Sequence, residues 1–173
     1  IGPRPPGSKA MCHAQDFLKE VLCNLGAGNV HTEPVPVFAW RQAPSHVELL
    51  SPRRRCFESF QHVHSAPGKV SASVLDAGSA DDEELDRLGR HVQGAILLIH
   101  EHQVSGTKYV PPPQRIQKVV ERGAVAAIIR NAYQIGCPAI DLAGISEDAP
   151  IPVVGISYED GQELASSARR RHC

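Results

Sequence analysis

From Ser8 onward the apolar residues recur at spacings of three and four: Ala10, Met11, Ala14, Phe17, Leu18, Val21, Leu22 and Leu25. That period gathers them on one helix face and leaves Lys9, Gln15, Asp16, Lys19 and Glu20 off it. Ser8 supplies an N-cap and Gly26 a left-handed C-terminal cap, so a helix is predicted over 8–25. At Val30 the period falls to two: Val30, Thr32, Val35 and Val37 predict a strand ending near Trp40. Pro34 and Pro36 cannot donate to a ladder, which confines that strand to a sheet edge or a bulge. After a connector at Arg41–Pro44, a short strand is expected from His46 to Leu50. Residues 51–69 show no clear period.

Beyond them, Val70, Ala72, Val74 and Asp76 alternate with Ser71, Ser73 and Leu75, a strand closed by Gly78. Ser79 or Asp81 can cap a short acidic helix through Leu88, its carboxylates at the positive end of the helix dipole. Three continuously apolar runs follow, Gly94–His100, Ala124–Arg130 and Ile151–Ile156, and continuous apolarity marks strands buried on both faces. Between the first two, Pro113 and Gln114 open a helix to Arg122 with Ile116, Val119 and Val120 inward. Residues 131–150 form a turn-rich connection. After the third run Ser157 caps a helix from Tyr158 towards Arg171. Strands alternating with helices indicate an α/β layer. The strands before residue 80 read as exposed or antiparallel. The expected fold class is α/β (mixed α+β), with residues 1–44 apart from a domain at 45–173.

Composition narrows the function classes. The formal net charge of −1 opposes nucleic-acid binding through a basic surface. No run approaches the ~20 apolar residues of a membrane span. The sequence opens on Ile1 with no leader-like segment, which suggests a removed leader or a piece of something longer. Cys12, Cys23, Cys56, Cys137 and Cys173 lack any C-x-x-C spacing. Two bridges with one free thiol, or five buried free thiols, both satisfy the count.

Candidate chemistry begins with His62-x-His64 and His100-x-His102, each placing two rings on one face of an extended strand, as metal sites do. The competing reading is plain solvent exposure, since His100 and His102 fall where a strand runs out into a loop. Glu101 would point to the opposite face. Asp81-Asp82-Glu83-Glu84 offers oxygen ligands without the alternation of a calcium loop, and a solvated helix start explains it. No G-x-S-x-G nucleophile elbow occurs. Gly26-Ala27-Gly28 follows a helix instead of opening one, so it cradles no phosphate. Tyr109 with Pro111-Pro112-Pro113 reads as a rigid loop, with polyproline docking as the alternative. No catalytic, cofactor-binding or metal residue is assigned.

Three segments carry a family resemblance. Ile1-Gly2-Pro3-Arg4-Pro5-Pro6-Gly7-Ser8 and the helix after it resemble the opening of di-zinc leucine-aminopeptidase-like metallopeptidases, and Glu33–Trp40 resembles their next strand. Arg90–His100, Ile116–Asn131 and Ile151–Gly161 are similar to the protease-associated (PA) domain that many members insert. The resemblance implies a PA-type β/β/α swivelling domain at 45–173, preceded by an orphan helix and strand of an incomplete catalytic domain. It further implies a zinc aminopeptidase parent with two zinc ions held through H-x-D, an adjacent E-E pair, an Asp and a late His. No H-x-D occurs in these 173 residues, and Glu83-Glu84 lies inside the PA-like part. The expectation is therefore a non-catalytic lid, meeting peptide or protein substrates and the rest of the enzyme, in an extracellular, periplasmic or vacuolar setting. A free-standing PA-like binding module is the alternative.

Overall fold

The computed structural model describes the protein except residues 1, 3, 38–41, 102–109, 142, 145–147 and 170–173. Trp40, Arg41, His102, Tyr109 and the basic end from Arg170 to Cys173 thus lie outside the described residues. The protein divides into two compact units, Ile1–Arg41 and Gln42–Cys173.

In the first unit, α1 spans Lys9–Asn24, and the Ser8 side chain accepts the Met11 N–H. At the far end the Ala27 N–H bonds to the Leu22 carbonyl and the Gly26 N–H to that of Cys23, with Gly26 at φ 82°. This is the six-to-one, five-to-two closure that satisfies the last carbonyls of a helix. Ala14 is buried, whereas Phe17, Leu18, Leu22 and Leu25 remain exposed. The strand predicted from Val30 does not form over residues 30–37, which run without a ladder. Pro34 and Pro36 each remove a donor from that stretch, and no described strand pairs with it.

The second unit holds a hairpin and a five-stranded sheet. Strands β1 (Val47–Leu49) and β2 (Arg55–Phe57) pair antiparallel, Val47 opposite Phe57. The sheet is built from β3 (Phe60–Gln61), β4 (Val74–Asp76), β5 (Ile96–His100), β6 (Ala126–Arg130) and β7 (Val153–Ile156), in the order β3-β7-β6-β5-β4. Strand β3 is antiparallel to β7, and the other three pairings are parallel. Of the strands before residue 80, β1, β2 and β3 pair antiparallel as expected, and β4 departs from that expectation. It is short and half-buried at a sheet edge, which explains its alternating sequence without requiring antiparallel pairing.

Helix α2 (Asp82–Leu88), a 3-10 turn at Gly89–Val92 and α3 (Pro112–Glu121) contribute Leu85, Val92, Ile116 and Val119 to one face of the sheet, packed with Leu75, Leu97, Ile99, Ala127, Ile129 and Val153. Helix α4 (Tyr158–Arg169) packs Leu164 and Ala165 with Phe57, Leu98, Ile128 and Ile156 on the other face. Every residue of β6 is buried, as its continuous apolarity requires. Helix α3 starts two residues before the predicted Gln114. Pro112 and Pro113 occupy its first turn, where a missing N–H costs no intrahelical bond.

Candidate functional site

The parallel strands β4, β5, β6 and β7 end on one edge with Asp76, His100, Arg130 and Ile156. In open α/β sheets the crevice beyond these carboxyl ends is where ligands collect. Register fixes which face each residue takes. His100, Arg130 and Ile156 are mutual partners, two residues beyond the row Asp76, Leu98, Ile128 and Val154. All of these share the α4 face.

His100 Nε2 lies 2.9 Å from Asp76 Oδ1, and both side chains are largely buried. The two are close enough for an ion pair, although the approach lies off the direction of a hydrogen bond. The pair borders a half-open cleft of about 530 Å³ with an apolar floor of Leu75, Leu88 and Ala168. Glu84 and Arg87 complete its rim and neutralise one another, Arg87 Nη2 donating to Glu84 Oε2 at 2.5 Å. An imidazole beside a carboxylate can hold a polar group or a water. Among the described residues the lining contains no Ser, Thr, Cys or Lys to act as a nucleophile.

A second polar group sits on the opposite face, at the amino end of β7. His62 continues the β3–β7 ladder, its N–H bonded to the Val153 carbonyl, and it is wholly buried. Burial pushes its imidazole down to about 4. The Asp141 carboxylate and the Ala139 backbone oppose that shift without completing a hydrogen bond to either ring nitrogen. Glu101 is raised, first by burial and then by Asp141, while Arg115 pulls the other way. Arg115 is itself buried and donates to the carbonyls of Val110 and His100.

Neither H-x-H motif forms the arrangement its spacing suggests. His64 adopts φ 62°, which ends the extended backbone, and its ring turns to Asp148 at 3.0 Å while His62 goes into the core. Solvent exposure fails for His62 as well, and His100 is taken up with Asp76. His102 lies outside the described residues. Among the described residues no three His, Cys, Asp or Glu side chains are placed to hold a metal ion. Glu83-Glu84 does not fit a zinc-binding pair either. It lies in the first turn of α2, where Asp81 caps Glu84 N–H at 2.9 Å and Arg87 takes Glu84. Cys12, Cys23, Cys56 and Cys137 are free and exposed, which overturns both bridges and buried thiols for these four. Nothing in the sequence marks Asp76, Arg130 or Asp141 as site residues except that each ends or follows an apolar run.

The family model for the PA domain matches residues 61–164, from β3 into α4. The chain belongs to the PA domain family. Similarity also runs past this PA domain. Carboxypeptidase Q of Bos taurus is 29% identical over 180 residues, covering 98% of this chain and 37% of that protein. A peptidase M28 precursor from Shewanella amazonensis superposes with a TM-score of 0.74 at 22% identity, over 99% of this chain and 41% of that one. A zinc aminopeptidase from Bacillus subtilis gives 0.64 at 22% identity, over 96% and 38%. The protein thus spans less than two-fifths of the curated relatives it matches. Among the described residues no helix of the PA domain or of the first unit is long and apolar enough to cross a membrane.

Proposed function

We propose that this PA domain serves a zinc-dependent exopeptidase as a non-catalytic lid, limiting and recruiting the peptides that reach the enzyme's cleft. The supporting observation is that similarity to proteins named as peptidases extends over 98% of the sequence, well outside residues 61–164. A PA domain serving elsewhere would have no need of the first unit. Its helix α1 keeps Phe17, Leu18, Leu22 and Leu25 exposed, a face of the kind that marks an interaction surface. Among the described residues the carboxyl-edge cleft offers an imidazole and carboxylates by which a passing peptide could be held. The parent enzyme would remove N-terminal residues from peptides, in an exported or vacuolar setting.

The 173-residue protein supplied with zinc is expected to release no chromophore from leucyl-p-nitroanilide. Zinc-dependent release would overturn the non-catalytic reading. Translation of the gene downstream of Cys173 is expected to supply an H-x-D segment and an adjacent E-E pair. A stop codon there would favour the free-standing binding module.

A further inference from the structure

Arg130 closes β6 and is 8% exposed. Among the described residues its guanidinium makes no hydrogen bond and no ion pair, and its Nε is fully buried without an acceptor. Its one described partner is the Tyr158 ring, whose centroid lies 4.6 Å from Cζ. An Nε–H shut off from water loses more than a ring face returns. The carboxylates of α4 do not repair the deficit. Asp160 and Glu163 are both drawn to Arg55, and Glu159 is exposed. Across the ladder His100 is paired with Asp76.

The position is nevertheless built. Helix α4 lies directly on the Arg130 stem, because a Cβ at Gly161 would stand 2.2 Å from its Cγ. Tyr158 is also the first residue of α4, so the partial positive charge of a helix start adds to the cation beside it. The first turn of α4 carries Glu159 and Asp160, and among the described residues neither is paired with Arg130. The backbone leaving β6 exposes Tyr133, Ile135 and Ile140. Both ends of that stretch are tied to the register partner of Arg130: the N–H groups of Asn131 and Ala139 bond to the Ile156 carbonyl at 3.1 and 3.2 Å.

We propose that Arg130 and Tyr158 receive a carboxylate carried on a peptide, either its free C-terminus or an Asp or Glu residue. The planar fork of arginine matches a carboxylate in two parallel hydrogen bonds, and the Tyr158 ring flanks that fork. The site stands whether or not the domain guards a peptidase.

The test is a titration of the isotope-labelled 173-residue protein, following the Arg130 side-chain Nε–H and the Tyr158 amide by NMR. The probes are N-acetyl-trialanine with a free carboxylate, the same peptide amidated, N-acetyl-Ala-Asp-Ala-amide, and inorganic phosphate. A saturable shift with the free-carboxylate peptide assigns a C-terminal ligand, one with the aspartyl peptide assigns a side-chain ligand, and either supports the site. Arg130→Lys keeps the charge without the fork and should weaken binding at least tenfold. Should that variant misfold, Tyr158→Leu is expected to weaken binding several-fold in its place. Absence of a saturable shift with both carboxylate peptides, an equal shift with the amidated one, or a response to phosphate alone would overturn the proposal.

Discussion

His62 couples the fold to pH through a single buried ring. Its imidazole titrates near 4 in the folded protein against an ordinary value of 6.5. The folded state therefore favours the neutral form, and this contribution is fully present above about pH 6.5. As pH falls from there towards 4 the unfolded state takes up a proton that the folded state refuses, so stability is lost across that window. Two and a half units correspond to about 3 kcal/mol. Urea titrations at pH 7 and 4.5 should show the loss, and His62→Leu should flatten it. An unchanged acid limb in that variant would place the sensitivity elsewhere. Two glycines of the motif Ile151–Gly161 act by leaving space. A Cβ at Gly155 would stand 1.7 Å from the Ala139 carbonyl oxygen, a backbone atom that cannot step aside. A Cβ at Gly161 first meets the Arg130 side chain, which can shift more easily than backbone. Gly155→Ala is accordingly expected to cost about 3 kcal/mol or to prevent folding, and Gly161→Ala about 1–2 kcal/mol, both read from urea midpoints. Equal costs would show that the connection at 139 moves freely. These contacts join residues far apart in sequence, which is why the motif could be matched from sequence but its packing could not be explained from it.

At the scale of elements, helices were legible because their signals are local. Ser8 and Gly26 bracket α1, Asp81 opens α2, and the Ser157 hydroxyl accepts the Asp160 N–H at 3.1 Å to open α4. Replacing Ser8 by Ala removes the Met11 acceptor and should lower the stability of α1 by about 1 kcal/mol. Amide exchange over 9–24 reports it, and unchanged protection would deny the cap a role. With Phe17, Leu18, Leu22 and Leu25 exposed, α1 has little burial of its own to hold it. Limited proteolysis of the 173-residue protein should therefore cut within 9–37 well before 94–130, whose strands are buried. Equal protection of the two segments would show that the apolar face of α1 is covered. The strands misled where their pairing is distant. Val30–Val37 alternates as a strand should, yet alternation names only the faces of a strand and does not provide a neighbour. β2 and β3 leave no periodic signal because they are three and two residues long and owe their form to β1 and β7.

On the scale of the whole molecule, the PA domain is a five-stranded sheet with α2 and α3 on one face and α4 on the other, with Asp76, His100 and Arg130 at its carboxyl edge. That fold class, and the separateness of the first forty or so residues in character, followed from period and composition: apolar runs of strand length between helical stretches leave few other layered arrangements. What tertiary structure alone decided is how the polar ends of those runs are used. One strand spacing places His100 beside Asp76 and Arg130 beneath α4. A left-handed turn at His64 parts it from His62, so two histidines that look like a metal pair become a core ring and a surface partner of Asp148. Spacing along a sequence fixes the face only while the backbone stays extended. Which groups then meet, and which are left buried without a partner, depends on neighbours that the fold brings from elsewhere.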